Sequence, residues 1–293
     1  DRNRLMVLNL ETKKVRRITD GSTWYSTSGG FDYAWSPDSK WFTLEFIGNK
    51  HDPYSDIGLV SAQGNGEIIN LTNSGYSSGS PSFALDGNAI LFTTERYGMR
   101  AHASWGSLDD AMLVFLNQDA YDKFSLSKED YELYKEANSD RKKVAAKDSS
   151  KVKDVVVELK NIEDRIVRLT PNSSNMGSTL ISKDGKTLYY LASTESGRNL
   201  WKMDLNKKET KLLHKVDAGW TSLEMDKEGK TLFILNGKNM QKMNMASDDL
   251  KPIKYLAQVK LDLSAEREYM FDHVYKQQQK RFYNTNMHGV NWD

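Results

Sequence analysis

Gly75-Tyr76-Ser77-Ser78-Gly79 spells G-x-S-x-G, the spacing at which hydrolases raise a nucleophilic serine on a sharp turn. That elbow needs a strand before it and a helix after it. Here Pro81 and another β-rich run follow the motif, so a Gly/Ser loop joining two strand groups is the better reading. A second serine, Ser104, lies two residues from His102, with Asp109 and Asp110 close behind. Serine, imidazole and carboxylate together can run acyl transfer. The imidazole takes the serine proton and the carboxylate orients the imidazole. Residues i and i+2 of an extended segment share a face, but a triad is defined by geometry and not by adjacency. This stretch reads as a strand edge leading into an insertion.

Metal and cofactor chemistry lack a signature. His51, His102, His214, His273 and His288 form no i, i+4 pair and no other ligand spacing. His51-Asp52-Pro53 reads as a turn. The absence of cysteine excludes disulfides, thiolate metal sites and a cysteine nucleophile. No phosphate loop, dinucleotide fingerprint or spaced carboxylate pair is present. No catalytic, cofactor-binding or metal-binding residue is assigned, and the residues that would touch a substrate are not legible.

The balance of 41 basic and 40 acidic residues, net +1, argues against an electrostatic nucleic-acid binder. The lysines of Arg141 to Lys153 are diluted by Asp140, Asp148 and Asp154, so that stretch reads as a solvated linker. No run of about 20 apolar residues is present to span a bilayer.

The elements that would position any site come from a repeat. A β-rich run, a small turn with Asp and Gly or Ser, and a second β-rich run recur around Asp38, Asp86, Asp184 and Asp226. Asp-Gly tolerates the positive φ of a tight hairpin. Third and fourth strands follow, as in Asp56 to Ser61 with Glu67 to Thr72, and Leu200 to Asp204 with Thr210 to His214. Four antiparallel strands make a propeller blade. The separations of 48 residues (Asp38 to Asp86) and 42 (Asp184 to Asp226) suit one blade each, and the 98 from Asp86 to Asp184 leave room for an insertion. Ile18-Thr19, Leu71-Thr72 and Leu169-Thr170 each close a blade.

The expected fold is all-β: a partial propeller of about four and a half blades over residues 1–263, with a helical or disordered insertion at about 101–165. Within it, Asp119 to Asn138 reads as helix, with Ser127 and Asp130 as a capping box. Ser139 to Lys153 reads as a mobile loop, and Val155 to Leu159 and Ile166 to Leu169 as strands. Residues 264–293 read as the helical start of a further subdomain. There Phe271, Val274, Tyr275, Gln278 and Phe282 form a helical stripe. With no initiating methionine and an apolar cluster at its end, the chain reads as an excerpt of a longer one.

Three segments resemble the tricorn-like serine peptidases. They are the blade phrase Leu71-Thr72-Asn73-Ser74-Gly75-Tyr76 with Ser80-Pro81-Ser82-Phe83, the insertion stretches Ser104 to Ser107, Phe115 to Tyr121 and Leu126 to Tyr131, and the tail stretches Glu268 to Tyr275 and Phe282 to Trp292. The blade phrase is shared with TolB-like and prolyl-oligopeptidase-type propellers. The resemblance implies later blades of a second propeller that admits and filters peptides or unfolded chains, then the start of a catalytic core. The remainder of the parent chain, a PDZ domain and a serine core, would be its partner. His288 falls in Met-His-Gly-Val-Asn-Trp, implied to be structural, with the catalytic serine, histidine and glutamate further along. The absence of cysteine fits the periplasm, with the reduced cytosol as the alternative, and a homo-oligomer is allowed. The competing reading is a TolB-like or WD-repeat-like binding propeller without a peptidase.

Overall fold

The computed structural model describes residues 3–24, 30–48, 53–64, 67–100, 106–137, 152–193, 197–218, 221–237 and 239–292. They form two compact units, Asp1–Ile253 and Lys254–Asp293.

The first unit is a β-propeller of four four-stranded antiparallel blades preceded by a two-stranded half-blade. The half-blade pairs β1 (Met6–Leu8) with β2 (Val15–Arg17). The first blade holds β3 (Tyr33–Trp35), β4 (Trp41–Phe46), β5 (Asp56–Ser61) and β6 (Ile69–Asn70). The second holds β7 (Ser78–Ala84), β8 (Ala89–Thr94), β9 (Asp110–Phe115) and, after the insertion, β10 (Ile166–Arg168). β11 (Asn175–Ile181), β12 (Thr187–Ser193), β13 (Arg198–Asp204) and β14 (Glu209–Ala218) make the third. The fourth comprises β15 (Thr221–Met225), β16 (Thr231–Asn236), β17 (Asn239–Asn244) and β18 (Leu250–Ile253).

Side-chain alternation explains the stacking. Successive residues of a strand point to opposite faces, and here both faces are buried against neighbouring blades. On β8, Ile90 and Phe92 join Ile57 and Leu59 of the first blade, while Ala89 and Leu91 join Leu188 and Tyr190 of the third. On β12, Tyr189 and Leu191 pack instead with Leu232 and Ile234 of the fourth. Leu5 and Ile18 of the half-blade meet Phe42, Leu44 and Val60. The core is thus a series of layers between blades.

Three of the four hairpins share one device, and the second blade, with Ala84 at the corresponding place, closes through a 3₁₀ turn at Leu85–Gly87 in its stead. Ser36 Oγ accepts from Trp41 N–H at 2.9 Å, and Ser182 Oγ accepts from Thr187 N–H at 3.0 Å. In the fourth blade Asp226 Oδ1 takes that place, accepting from Thr231 N–H at 3.0 Å. Asp226 therefore corresponds to Ser36 and Ser182, not to Asp38 and Asp184. Counted in register, Ser182 to Asp226 is 44 residues, correcting the 42 read from the aspartates. The reason is that the first turn position needs only an oxygen acceptor, which serine and aspartate both supply.

The insertion breaks into two helices, α1 (Gln118–Ser125) and α2 (Lys128–Ala137), in place of one. Ser127 Oγ accepts from Asp130 N–H at 3.1 Å and so opens a new helix, the cap that the sequence announces. The expected loop at Ser139 to Lys153 lies almost wholly outside the described residues. Val155 to Leu159 is not a strand. It is an extended strap, tied by Val155 N–H to Asp38 (2.8 Å) and Glu158 N–H to Leu116 O (2.7 Å), with Val155 and Val157 packed on the core between the first two blades. Its apolar alternation serves packing without a hydrogen-bonded ladder.

In the second unit, α3 (Leu263–Arg281) starts on an Asp262 cap whose carboxylate accepts from Ser264 and Ala265 N–H. Tyr275 stacks on Trp292, with ring centroids 5.4 Å apart, and donates to its carbonyl at 2.6 Å. Phe271 and Val274 of the apolar stripe stay exposed.

Candidate functional site

The G-x-S-x-G loop runs directly into β7, so Ser77 sits on no nucleophile elbow. Its carbonyl accepts from Glu95 N–H and from the Thr94 hydroxyl, which ties the loop to the end of β8. His51, His102 and Ser104 lie outside the described residues. His214 Nε2 meets the Asp248 carbonyl at 2.7 Å. His273 packs against the Tyr269 ring, and His288 is held by Tyr283 Oη and Asn284 Nδ2. Among the described residues no histidine hydrogen-bonds to a serine, and no group of three potential metal ligands gathers.

Asp110 does find partners. Its carboxylate accepts from Arg168 Nε and Nη2 at 3.0 and 2.9 Å, from Thr170 Oγ at 2.8 Å and from Ser173 Oγ at 2.7 Å. Thr170 Oγ in turn accepts from Ala111 N–H. The same latch recurs one blade earlier between Asp56 and Thr72, with Ile57 N–H as the donor. In the half-blade Thr19 Oγ accepts from Leu5 N–H. The threonines read as blade closers thus bond to the head of the third strand. Their aspartate partners escaped the sequence reading, although Asp56-Ile57-Gly58-Leu59-Val60 and Asp110-Ala111-Met112-Leu113-Val114 repeat one phrase.

Two further carboxylates sit where blades meet, at the same strand ends as these latches. Glu45 on β4 accepts from Ser80 N–H of the second blade at 2.7 Å. Ser80, at φ 51°, also donates its hydroxyl to Asp32. Burial pushes the Glu45 carboxyl up to about 7, against the Ser80 N–H bond and with the help of Asp32. Asp109, whose backbone bridges to Ser174 of the third blade, is likewise raised to about 7 by burial and then by Glu95 and Asp110, with Arg198 opposing. The two seams therefore hold carboxyls that take protons near neutrality. Such groups fasten blades and tune the charge at one end of the propeller, and no imidazole joins them among the described residues.

Residues 263–293 match the Tricorn protease C1 domain. Across 97% of its length the chain superposes on the crystal structure of the tricorn protease, with a TM-score of 0.65 at 13% identity. Its fold is similar to that of part of the tricorn protease. It spans 27% of the tricorn protease chain it matches. The fold is also similar to that of a putative TolB from Agrobacterium tumefaciens, at 12% identity and TM-score 0.55, over 86% of this chain and 73% of that one. A puromycin-hydrolyzing peptidase from Mycobacterium tuberculosis matches at 13% identity and TM-score 0.53, over 87% of this chain and 36% of its own. At these identities the likeness is one of fold. No curated protein matches the sequence. Among the described residues no helix is long and apolar enough to cross a membrane.

Proposed function

We propose that this chain is the non-catalytic propeller region of a tricorn-like serine peptidase, admitting or filtering peptide substrates for a core elsewhere in the parent protein. The observation that carries this reading is the order of parts: propeller blades followed, in one chain, by a stretch matching the tricorn C1 domain. The exposed Phe271 and Val274 of α3 support it, because an apolar helix face of this kind normally meets further structure. In this reading residues 1–263 are blades, 264–293 begin the catalytic subdomain, and no residue of the chain is catalytic. Its partners are peptides or unfolded polypeptides and the PDZ and serine core. The periplasm is the proposed location, and a homo-oligomer the proposed assembly.

The test is hydrolysis of a mixed fluorogenic peptide library by the purified chain, with fluorophosphonate labelling in parallel. No turnover and no label are expected. Robust, inhibitor-sensitive turnover would sink the non-catalytic assignment. A TolB-like interaction propeller is the second reading, favoured by the 73% of the Agrobacterium TolB chain that the superposition covers. A reading frame that continues into a PDZ domain and a serine core decides for the first, and a stop codon for the second.

A further inference from the structure

A groove of about 740 Å³ lies between the helical insertion and the hairpin ends of the second and third blades. α1 and α2 form one wall. The β11–β12 turn and the β13–β14 turn form the other, and Leu85, Phe124 and Leu205 contribute an apolar floor. Eight basic and four acidic side chains line it. The local excess is positive although the whole chain carries only +1.

Three of the four acidic side chains already have partners, as does the lining Arg168, which pairs with Asp110. Asp184 accepts from Ser182 Oγ and Lys186 N–H, Asp204 accepts from the Asn206 and Lys207 N–H groups, and Glu132 pairs with Lys135 at 2.6 Å. Lys128, Lys186, Lys207 and Lys208 form no ion pair among the described residues. The Lys135 hydrogen bond chiefly lowers the Glu132 carboxyl, and Lys128 on α2 and Lys186 on the opposite wall add to that. Positive charge thus faces the groove from both sides, above a greasy floor.

We infer that this groove docks an extended acidic polypeptide, its Asp or Glu side chains meeting Lys128, Lys186, Lys207 and Lys208 and its apolar side chains resting on Leu85 and Phe124. Lysine rims attract carboxylates at long range, and the apolar floor supplies the contact that a phosphate backbone would not use. The inference stands whether or not the parent is a peptidase.

The test is fluorescence anisotropy on the full chain with a labelled ten-residue peptide of alternating Glu and Leu. Binding is expected to weaken at least tenfold in the triple variant Lys186→Glu, Lys207→Glu, Lys208→Glu. Raising salt from about 50 to 500 mM should weaken it about fivefold or more through screening. A Lys-Leu peptide should not bind. The variant Lys242→Glu, Lys251→Glu, on exposed β17–β18 positions away from the groove, should bind like the parent. Thermal midpoints of both variants report folding. Absence of peptide binding, equal binding by the groove variant, or equal loss in the control variant overturns the inference. Displacement of the peptide by polyuridylate at equal concentration overturns it in favour of a nucleic-acid surface.

Discussion

The Thr72 hydroxyl donates to Asp56 Oδ1 at 2.7 Å while accepting from Ile57 N–H, so one side chain locks the end of the first blade to the head of its third strand. Asp56 is 3% exposed and also accepts from Asn70 Nδ2 and Ser74 N–H. Thr72→Val keeps the shape but leaves a buried N–H without its acceptor and a buried carboxylate short of a donor. It is expected to cost about 1–3 kcal/mol in urea denaturation. Thr72→Ser keeps the hydroxyl and should cost less than half of that. Equal losses in the two variants would mean that the methyl group, and not the hydrogen bond, matters.

Arg165 is buried at 3% exposure with no acidic partner among the described residues. Its guanidinium donates to the carbonyls of Phe115, Glu158 and Lys160, which holds the strap and the following 3₁₀ turn (Ile162–Arg165) against β9. Arg165→Met should therefore lower stability by about 2–4 kcal/mol, because several carbonyls lose their donor together. Arg165→Lys should recover only part, since an ammonium cannot reproduce the planar fork. Full recovery by lysine would show that charge alone suffices.

These two sites mark where the sequence could and could not be read. Strand alternation and hairpin turns are local, so the blade repeat, the half-blade and the Ser127 cap follow from neighbouring residues. Thr72 and Thr170 are visible as punctuation, but their aspartates lie 16 and 60 residues away, and only the fold pairs them. Glu45 and Ser80 are 35 residues apart on different blades and carry no shared motif. The strap at Val155 misleads for the opposite reason. Its alternation is real, but its hydrogen bonds go to a turn aspartate and a loop carbonyl and not to a neighbouring strand.

Asp226 offers a test of turn equivalence. Its carboxylate accepts from Thr231 and Lys230 N–H, which holds the carboxyl below its ordinary range. Serine does the same work at Ser36 and Ser182, so Asp226→Ser should keep the thermal midpoint near that of the parent at pH 7. Asp226→Ala should lower it. A carboxyl with lowered affinity for protons stabilises the fold above its unfolded value near 3.8, and that contribution fades as pH falls through the lowered folded value. The gap between the Asp and Ala proteins should close in strong acid. A gap that is constant with pH would sink the hydrogen-bond account.

Glu45 behaves in the opposite sense. Burial raises its carboxyl to about 7, and Asp32 adds to the rise. The folded protein thus binds this proton more tightly than the unfolded chain does. The resulting stability is complete below about 4.5 and is lost as pH climbs through about 7. Glu45→Gln removes the charge and keeps an oxygen for the Ser80 N–H. The variant should match the parent at pH 4.5 and exceed it at pH 8 by about 1–3 kcal/mol in denaturant unfolding. Asp109, also raised to about 7 at the next seam, carries the same sign, so adding Asp109→Asn should flatten the profile further. Parallel pH profiles for parent and Glu45→Gln would mean that the seam carboxyl stays charged across this range and that Ser80 alone compensates its burial.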